Sequence, residues 1–226
     1  KDPNLGGFVQ VDDLTFDKIV MGPYHAFVVA YNSENPEWLQ IVDELYEVGK
    51  EFGRHLNLVL AKVNTADSVI TADQYQLGSG EVKFFYVQEG SLKVEKLDIQ
   101  PKSAEIIKYI KSRAGESYTV KALMPIVEQF VKSSEGREAL VVEAEAIVPT
   151  LKPSEARVAK WYVKTMSSMQ KKGENYLEKE YERLNRMLQN QADSLKAEKL
   201  TEFHDRLGVL QVFANGQLNI QAKDEL

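Results

Sequence analysis

The sequence contains no cysteine among its 226 residues. This absence excludes disulfide bonds, thiolate nucleophiles and cysteine-ligated metals. Histidine is also scarce, and His25, His55 and His204 lack the H-x-x-x-H or H-E-x-x-H spacing that places two metal ligands on one helix face. We therefore expect each of them to be a surface or hydrogen-bonded histidine, and we expect neither a metal nor a cofactor.

An excess of positive charge is missing as well. The formal net charge is -6, and because phosphate binding requires a basic face, the composition argues against a nucleic-acid partner. Apolar stretches such as 26–32 are far too short to span a bilayer, so we expect no membrane insertion. The sequence also has no phosphate-binding loop of the G-x-x-x-x-G-K type, and "LGSGE" at 77–81 predicts only a flexible turn.

Strand and helix signals alternate through the first half of the chain, up to about residue 114. Strands are predicted at 8–11, 26–32, 58–63, 83–87 and 93–97, and the last two form a hairpin that turns at 88–91. Helices are predicted at 14–20 after a cap by Asp12 or Asp13, from Asn35 through Phe52, at 70–75, and after a cap by Ser103. Pro36 fits the first position of the long helix.

The second half of the chain is helical in pattern. Five helices are predicted, at 120–133, at 135–148, from 152 onward, at 174–191 and at 197–214. The methionine and aromatic stripe of the third helix is expected to be core, and the charges of the last three helices are expected to be mostly solvated faces. The predicted organisation is therefore an N-terminal domain at 1–115, a linker at 116–118, a five-helix domain at 119–215 and a tail at 216–226.

The element order β-α-β-α-β-α-β-β-α over residues 7–114 resembles the thioredoxin fold. In its redox members a C-x-x-C motif occupies the corner between a strand and a helix, where this chain has Glu-Asn-Pro-Glu-Trp at 34–38. A cis-proline before the hairpin is missing too, because no proline lies between Pro36 and Pro101, and we expect ordinary trans peptides at 81–83. We therefore expect no catalytic residues and no enzymatic activity.

The chain ends with the tetrapeptide KDEL, a receptor-read signal that retrieves proteins to the endoplasmic reticulum. It consists of Lys223, Asp224, Glu225 and Leu226. We therefore expect the KDEL receptor as a partner and the lumen of the endoplasmic reticulum as the location. Such an address requires a secretory signal peptide, and residues 1–4 show none, so we expect the printed chain to begin at a mature N-terminus or to lack its signal.

A thioredoxin-like domain without cysteine, a five-helix domain and KDEL together resemble the cysteine-poor PDI-D group of endoplasmic-reticulum chaperones. This is the group of the twenty-nine-kilodalton endoplasmic-reticulum protein and Windbeutel. The most specific stretches are "GFVQVDDLTF" at 7–16, "WYVKTM" at 161–166, "KKGENY" at 171–176 and the ending "AKDEL". The resemblance implies a non-catalytic chaperone or escort for unfolded or secretory client proteins, with other chaperones as further partners.

The same resemblance implies a homodimer whose interface includes Gly7, Phe8, Val9 and Asp12. It also implies that clients bind a tyrosine-rich patch at the corner, although the group's Tyr-Pro-Tyr is matched here by 35–37, Asn-Pro-Glu.

From the aromatic residues near the corner we predict a shallow client-binding patch formed by Tyr24, Tyr31, Pro36, Trp38 and Tyr86. Tyr24 is expected to be the exposed ring, and the helical spacing around Trp38 favours a core position for that residue. Strand alternation places Phe84 and Tyr86 on one face and Phe85 on the other, so we expect that not all three are core.

Two alternatives stay open. A dedicated structural adaptor would bind one fixed partner, and only the breadth of binding separates it from a general chaperone. A glutathione-transferase-like enzyme also joins a thioredoxin-like domain to a helical one. It would need the cis-proline and a Glu/Gln-Ser pair that holds glutathione, and neither is evident in the sequence.

Overall fold

The computed structural model of the protein describes residues 3–78, 80–191 and 195–224. It divides the chain into two compact units, residues 1–117 and residues 118–226. The division lies within the segment 116–118 that the sequence predicts as the linker.

The first unit is built on one five-stranded sheet with the order β1-β3-β2-β4-β5. The strands are β1 (Phe8–Val11), β2 (His25–Tyr31), β3 (Leu58–Asn64), β4 (Lys83–Val87) and β5 (Val94–Leu97). Strands β1 and β2 run parallel to β3, whereas β4 runs antiparallel to β2 and β5. The helices are α1 (Phe16–Val20), α2 (Glu37–Gln40), α3 (Val42–Phe52), α4 (Val69–Gln74) and α5 (Ser103–Ala114). The predicted thioredoxin-like fold is confirmed.

Helices cover both faces of this sheet. Residues of α2, α3 and α5 pack on one face, and residues of α1 and α4 pack on the other. All seven residues of β2 are buried, as its continuous apolar run predicts. The expectation that not all of Phe84, Phe85 and Tyr86 are core is wrong, because both faces are covered: Phe84 and Tyr86 join the first cluster and Phe85 joins the second.

The helix starts of this unit are held partly by side chains from other elements. Asn35 acts as predicted, since its Oδ1 accepts the Glu37 N–H at 2.9 Å, although the predicted long helix is interrupted at Ile41 between α2 and α3. The predicted cap by Ser103 is wrong. Instead, the Ser103 N–H donates to Oε2 of Glu44 on α3 at 2.7 Å.

In its described residues, the second unit has five α-helices, as predicted. They are α6 (Met124–Lys132), α7 (Arg137–Ile147), α8 (Pro153–Lys172), α9 (Tyr176–Gln191) and α10 (Ala197–Asp224), with short 3-10 turns at Lys121–Leu123 and Val148–Thr150. Most of the stripe of α8 is core, because Val158, Tyr162, Thr165, Met166 and Met169 are all buried, whereas Trp161 of the same stripe is only half-buried. Phe130 and Phe213 meet edge to face beside it, with ring centroids 6.3 Å apart.

The last helix is longer than the sequence predicts. Instead of ending at Ala214 before a tail at 216–226, α10 continues to Asp224. One reason is that the helix keeps contacts beyond Ala214, since the Gln217 side-chain amide donates to Oε2 of Glu174 at 2.9 Å. Among the described helices, none has both the length and the apolar character needed to cross a membrane.

Candidate functional site

The corner between β2 and α2 is built from asparagine side chains. Asn64 of β3 accepts the Ser33 N–H at 3.2 Å and donates to Ser33 Oγ at 3.0 Å. Asn32 accepts the Glu34 N–H at 2.9 Å, and the Asn35 Nδ2 donates to the Gly80 carbonyl oxygen, in the loop before β4, at 2.5 Å. Amide groups that hold two loops together therefore occupy the place where a dithiol would react.

Behind the corner lies an interior cluster of two aromatic rings and one ammonium group. The rings of Tyr31 and Trp38 stack with centroids 3.9 Å apart, and the Lys62 Nζ lies 5.7 and 5.9 Å from those two centroids. Lys62 also donates to the Pro3 carbonyl oxygen at 3.0 Å, and the Tyr31 hydroxyl donates to Oε1 of Gln10 at 3.1 Å. This cluster joins the N-terminal segment, three strands and α2 into one packed region.

Three of the five predicted client-binding residues are buried. Tyr31 and Tyr86 are 0% exposed and Trp38 is 1% exposed, so none of them offers a ring at the surface. Tyr31 and Trp38 are buried because they stack on each other beside Lys62. Tyr86 is buried because α5 covers it. The core position of Trp38 is confirmed, and the surface role of Tyr31, Trp38 and Tyr86 is corrected.

Tyr86 belongs to a second polar cluster, at the start of β2. Its hydroxyl donates to Nδ1 of buried His25 at 2.9 Å, and the Glu89 N–H reaches the same nitrogen at 3.3 Å. The Arg113 guanidinium lies 5.2 Å from the Tyr86 ring centroid, and the Tyr109 ring meets Tyr86 edge to face. Burial raises the pKa of the Tyr86 phenol, so the hydroxyl stays neutral and remains a donor.

The two remaining members of the predicted patch lie at opposite ends of the sheet. Tyr24, which is half-buried, directly precedes β2, whereas exposed Pro36 follows the other end of that strand. A seven-residue strand separates them by roughly 20 Å at about 3.3 Å per residue. The single patch predicted from the sequence is therefore not formed, because nearness along the chain does not bring the two ends of a strand together.

The segment predicted to dimerise is an edge strand with a tightly packed glycine before it. Gly7 has φ +85°, and a Cβ there would lie 2.8 Å from the Gly49 carbonyl oxygen and 2.8 Å from the Gly53 Cα, both on the adjoining α3 segment. On β1, Phe8 is partly buried against the core and Val9 is exposed. The residues at Gly7–Val9 thus combine a close backbone approach with one outward apolar side chain.

Asp12 is satisfied within its own chain. Its Oδ1 accepts the N–H groups of Leu14 at 3.1 Å and Thr15 at 3.0 Å, and it accepts the Thr15 hydroxyl at 2.7 Å. The hydroxyl of Thr15, followed by the Leu14 N–H, holds the pKa of the Asp12 carboxyl below its usual range. Asp12 thus caps the turn that precedes α1, whereas the predicted cap of the helix itself is wrong, because α1 begins at Phe16 and Thr15 is its N-cap residue.

Helices α8, α9 and α10 line an open cleft of about 670 Å³ that contains an ion pair between two of them. Arg206 of α10 pairs with Glu180 of α9, and its guanidinium lies 4.9 Å from the Trp161 ring centroid on α8. A hydrogen bond from Arg183 is the largest influence that lowers the pKa of the Glu180 carboxyl. The expectation that these charges are mostly solvated faces is therefore wrong at this cleft, because they connect three helices.

The histidines show no metal-binding arrangement. His55 accepts the Asn57 N–H on Nδ1 at 3.1 Å, so its Nε2 is the protonated nitrogen, and it donates to the Gly115 carbonyl oxygen at 3.2 Å. His25 and His55 are thus hydrogen-bonded, as expected. In the ranges that the structure describes, no group of three His, Asp or Glu side chains could hold a metal ion.

The retrieval signal lies at the limit of the described chain. Lys223 and Asp224 are the last residues of α10, and Glu225 and Leu226 lie outside the described residues.

Comparison with known proteins gives one family match, to the description "Endoplasmic reticulum protein ERp29, C-terminal domain", over residues 118–213. The curated "Protein disulfide isomerase-like 2-1" of Oryza sativa subsp. japonica is 24% identical over 215 residues, which are 89% of this chain and 57% of that protein. This chain therefore spans less than two thirds of that relative's length.

Similar solved structures are thioredoxin domains. The J-Trx1 fragment of ERdj5 has a TM-score of 0.44 and 17% identity, over 50% of this chain and 52% of that one. The first thioredoxin domain of mouse protein disulfide-isomerase A4 has a TM-score of 0.40 and 16% identity, over 47% of this chain and 74% of that one.

Proposed function

We propose that this chain is an ERp29-like protein of the PDI-D type and that it acts as a non-catalytic chaperone or escort. It binds unfolded or secretory client proteins in the lumen of the endoplasmic reticulum. The observation that carries the proposal is the corner, where amide hydrogen bonds and a buried Tyr31–Trp38 stack occupy the place of a dithiol.

Chemistry supports binding over catalysis. Thiol–disulfide exchange requires an attacking thiolate, and the sequence contains no cysteine to supply one. A thioredoxin-like domain that lacks this nucleophile retains its surfaces, and exposed apolar side chains on such surfaces are the usual means of holding unfolded segments.

An assay of holding activity tests the proposal. The pure protein at micromolar concentration should slow the aggregation of a thermally unfolded client, while an equal concentration of an inert globular protein should not. It should show no insulin reduction in any glutathione buffer. Measurable reductase activity, or the absence of any effect on several unrelated clients, would overturn the proposal. Crosslinking in living cells that captures a single protein would favour the dedicated adaptor.

We also propose that the KDEL receptor reads residues 223–226 and thereby retains the protein in the lumen of the endoplasmic reticulum. Deleting residues 223–226 should send the protein into the medium with an unchanged melting temperature, because a terminal segment contributes little packing. Secretion is measured by immunoblotting of the medium and the cells. The control is a variant in which the order of residues 223–226 is scrambled, so that the chain length is unchanged. Retention of the deleted form would mean that another partner holds it.

We further propose a homodimer through Gly7, Phe8, Val9 and Asp12. The exposed Val9 on the edge strand β1 supports it, since an unpaired strand edge is a ready pairing surface. Sedimentation at micromolar concentration should give a dimer of the 25.6 kDa chain. Val9→Lys should shift it toward the monomer, and Val142→Lys on α7 should not. A native protein that sediments as a monomer would contradict the dimer.

A further inference from the structure

Three exposed apolar side chains lie together at the carboxyl ends of β1 and β3. Leu14 precedes α1 and is 80% exposed, and Val69 and Ile70 begin α4 with 56% and 68% exposure. These are large apolar residues left in water at the start of two neighbouring helices. We call Leu14, Val69 and Ile70 the α1/α4 patch.

One hydrogen bond brings the parts of this patch together. The Asp13 Oδ1 accepts the Thr71 N–H at 2.8 Å, across 58 positions of the chain. Leu14 follows Asp13 and Ile70 precedes Thr71, so the bond fixes the backbones of the two exposed residues side by side. Single apolar residues scattered over a surface are normal, whereas a contiguous apolar patch is often a site of interaction.

The charged groups around the patch are mainly acidic. Asp12, Asp13, Asp17 and Asp67 are exposed, and Lys18 is the neighbouring cation on α1. Hydrogen bonds hold these carboxylates in place, from the Tyr75 hydroxyl to Asp17 at 2.6 Å and from the Asn64 amide to Asp67 at 2.5 Å. The Thr71 N–H is the largest influence that lowers the pKa of the Asp13 carboxyl, so this charge persists near neutral pH.

We propose that the α1/α4 patch binds extended client segments that combine apolar residues with lysine or arginine. This inference rests on the proposed chaperone function and names its site and the class of segment. Apolar side chains of the segment cover Leu14, Val69 and Ile70, and its cations meet the surrounding aspartates. Complementary charge of this kind favours encounter and suppresses the wrong partners.

The charge also argues against a second copy of this chain as the occupant. A two-fold interface places the same surface of both subunits face to face. Centred on this patch, it would bring Asp13, Asp17 and Asp67 of one subunit close to the same residues of the other. Like charges in direct opposition are unfavourable, so a cationic segment is the better complement.

The test uses the full chain and three labelled ten-residue peptides. One alternates valine with lysine, the second alternates valine with glutamate, and the third alternates serine with lysine. Fluorescence anisotropy should show binding of the first peptide, weakened at 0.5 M salt, and much weaker binding of the other two. The double variant Leu14→Ser/Ile70→Ser should bind the first peptide about tenfold more weakly, since a few apolar anchors carry most of such an affinity.

The matched control is Leu92→Ser, which changes a side chain of equal exposure (82%) in the β4–β5 connection and should leave the affinity unchanged. Equal binding by native and double-variant proteins, or equal binding of the valine–glutamate peptide, overturns the inference. A double variant that alters only the sedimentation behaviour assigns the patch to a second copy and also overturns it. If the patch inference fails but the native protein still prevents client aggregation, the proposed chaperone function stands. If the native protein does not prevent aggregation of any client, the chaperone function itself is refuted.

Discussion

Replacement of Trp38 by alanine tests whether the corner is an interior or a binding surface. The indole is 1% exposed and stacks on Tyr31 with centroids 3.9 Å apart, and the Lys62 ammonium lies 5.9 Å from its centroid. Truncation of a buried Trp to alanine costs about 3–5 kcal/mol, since transfer free energy and packing are both lost. Of this loss, the aromatic stack accounts for about 0.5–1.5 kcal/mol.

Hydrogen exchange with mass spectrometry measures this loss locally. Each 1.4 kcal/mol of lost stability raises the equilibrium constant for opening about tenfold. Amides of β2 and β3 that exchange only when the whole unit opens should therefore exchange roughly a hundredfold to several thousandfold faster in Trp38→Ala. Peptides from α8 give an internal reference, because they belong to the other compact unit. Trp38→Phe should lose less stability, since a phenyl ring keeps part of the stack.

Leu39→Ala is the matched control, because the adjacent leucine is exposed and its loss should stay within about ±0.5 kcal/mol. The reasoning is refuted if Trp38→Ala loses less than about 1 kcal/mol, since a buried aromatic side chain cannot be removed so cheaply. It is also refuted if Trp38→Ala keeps full protection from exchange and loses client binding, because that result would assign the indole to the surface.

Two further predictions concern single contacts. Gly208→Ala should lower the melting temperature, because a Cβ at this position would clash with the Tyr118 ring. This loss should outweigh the helix propensity of alanine, which usually favours a helix by about 1 kcal/mol over glycine. Gly216→Ala, whose Cβ would meet Val131 at 3.5 Å, should not lower the melting temperature, and a rise for Gly208→Ala would contradict the packing. The Ser103 N–H lowers the pKa of Glu44 from 4.5 to about 2, so the contribution of this carboxylate to stability is complete above pH 4.5 and lost as pH falls toward about 2. Glu44→Gln should therefore melt below the native protein at pH 6, with a difference that shrinks toward pH 2; a constant difference would contradict this linkage.

The sequence predicts elements well where the signal is local. Strand β4 occupies the predicted residues 83–87, and β2 differs from its prediction by one residue at each end. Both consist largely of consecutive apolar and aromatic residues, which suit strands buried on both faces. The corner turn is local too, since the Asn35 side chain accepts a hydrogen bond from the N–H group of Glu37, two positions away. The missing cysteine and the missing proline before the hairpin are equally direct, because both are read from the residue types at given positions.

Contacts between distant residues could not be predicted in this way. The Glu44–Ser103 and Asp13–Thr71 hydrogen bonds connect residues 59 and 58 positions apart, and each supplies a helix N-terminus with a carboxylate from another element. Capping preferences describe the residue that precedes a helix, so Ser103 was the natural local prediction. Only the tertiary arrangement brings Glu44 to that position.

Exposure is the property on which the candidate site depends, and periodicity gives it only in part. Alternation assigns Tyr86 and Phe85 to opposite faces of the sheet. Whether a face is exposed to solvent depends on the helices that cover it, and here helices cover both faces. Leu14 and Ile70, in contrast, begin predicted helices and are left exposed. Leu14 follows the carboxyl end of β1 and Ile70 follows that of β3, and both strands run parallel to β2 or pair with the strand that does. The two exposed apolar residues therefore lie at the same end of the sheet as the corner, which is where clients are expected to bind.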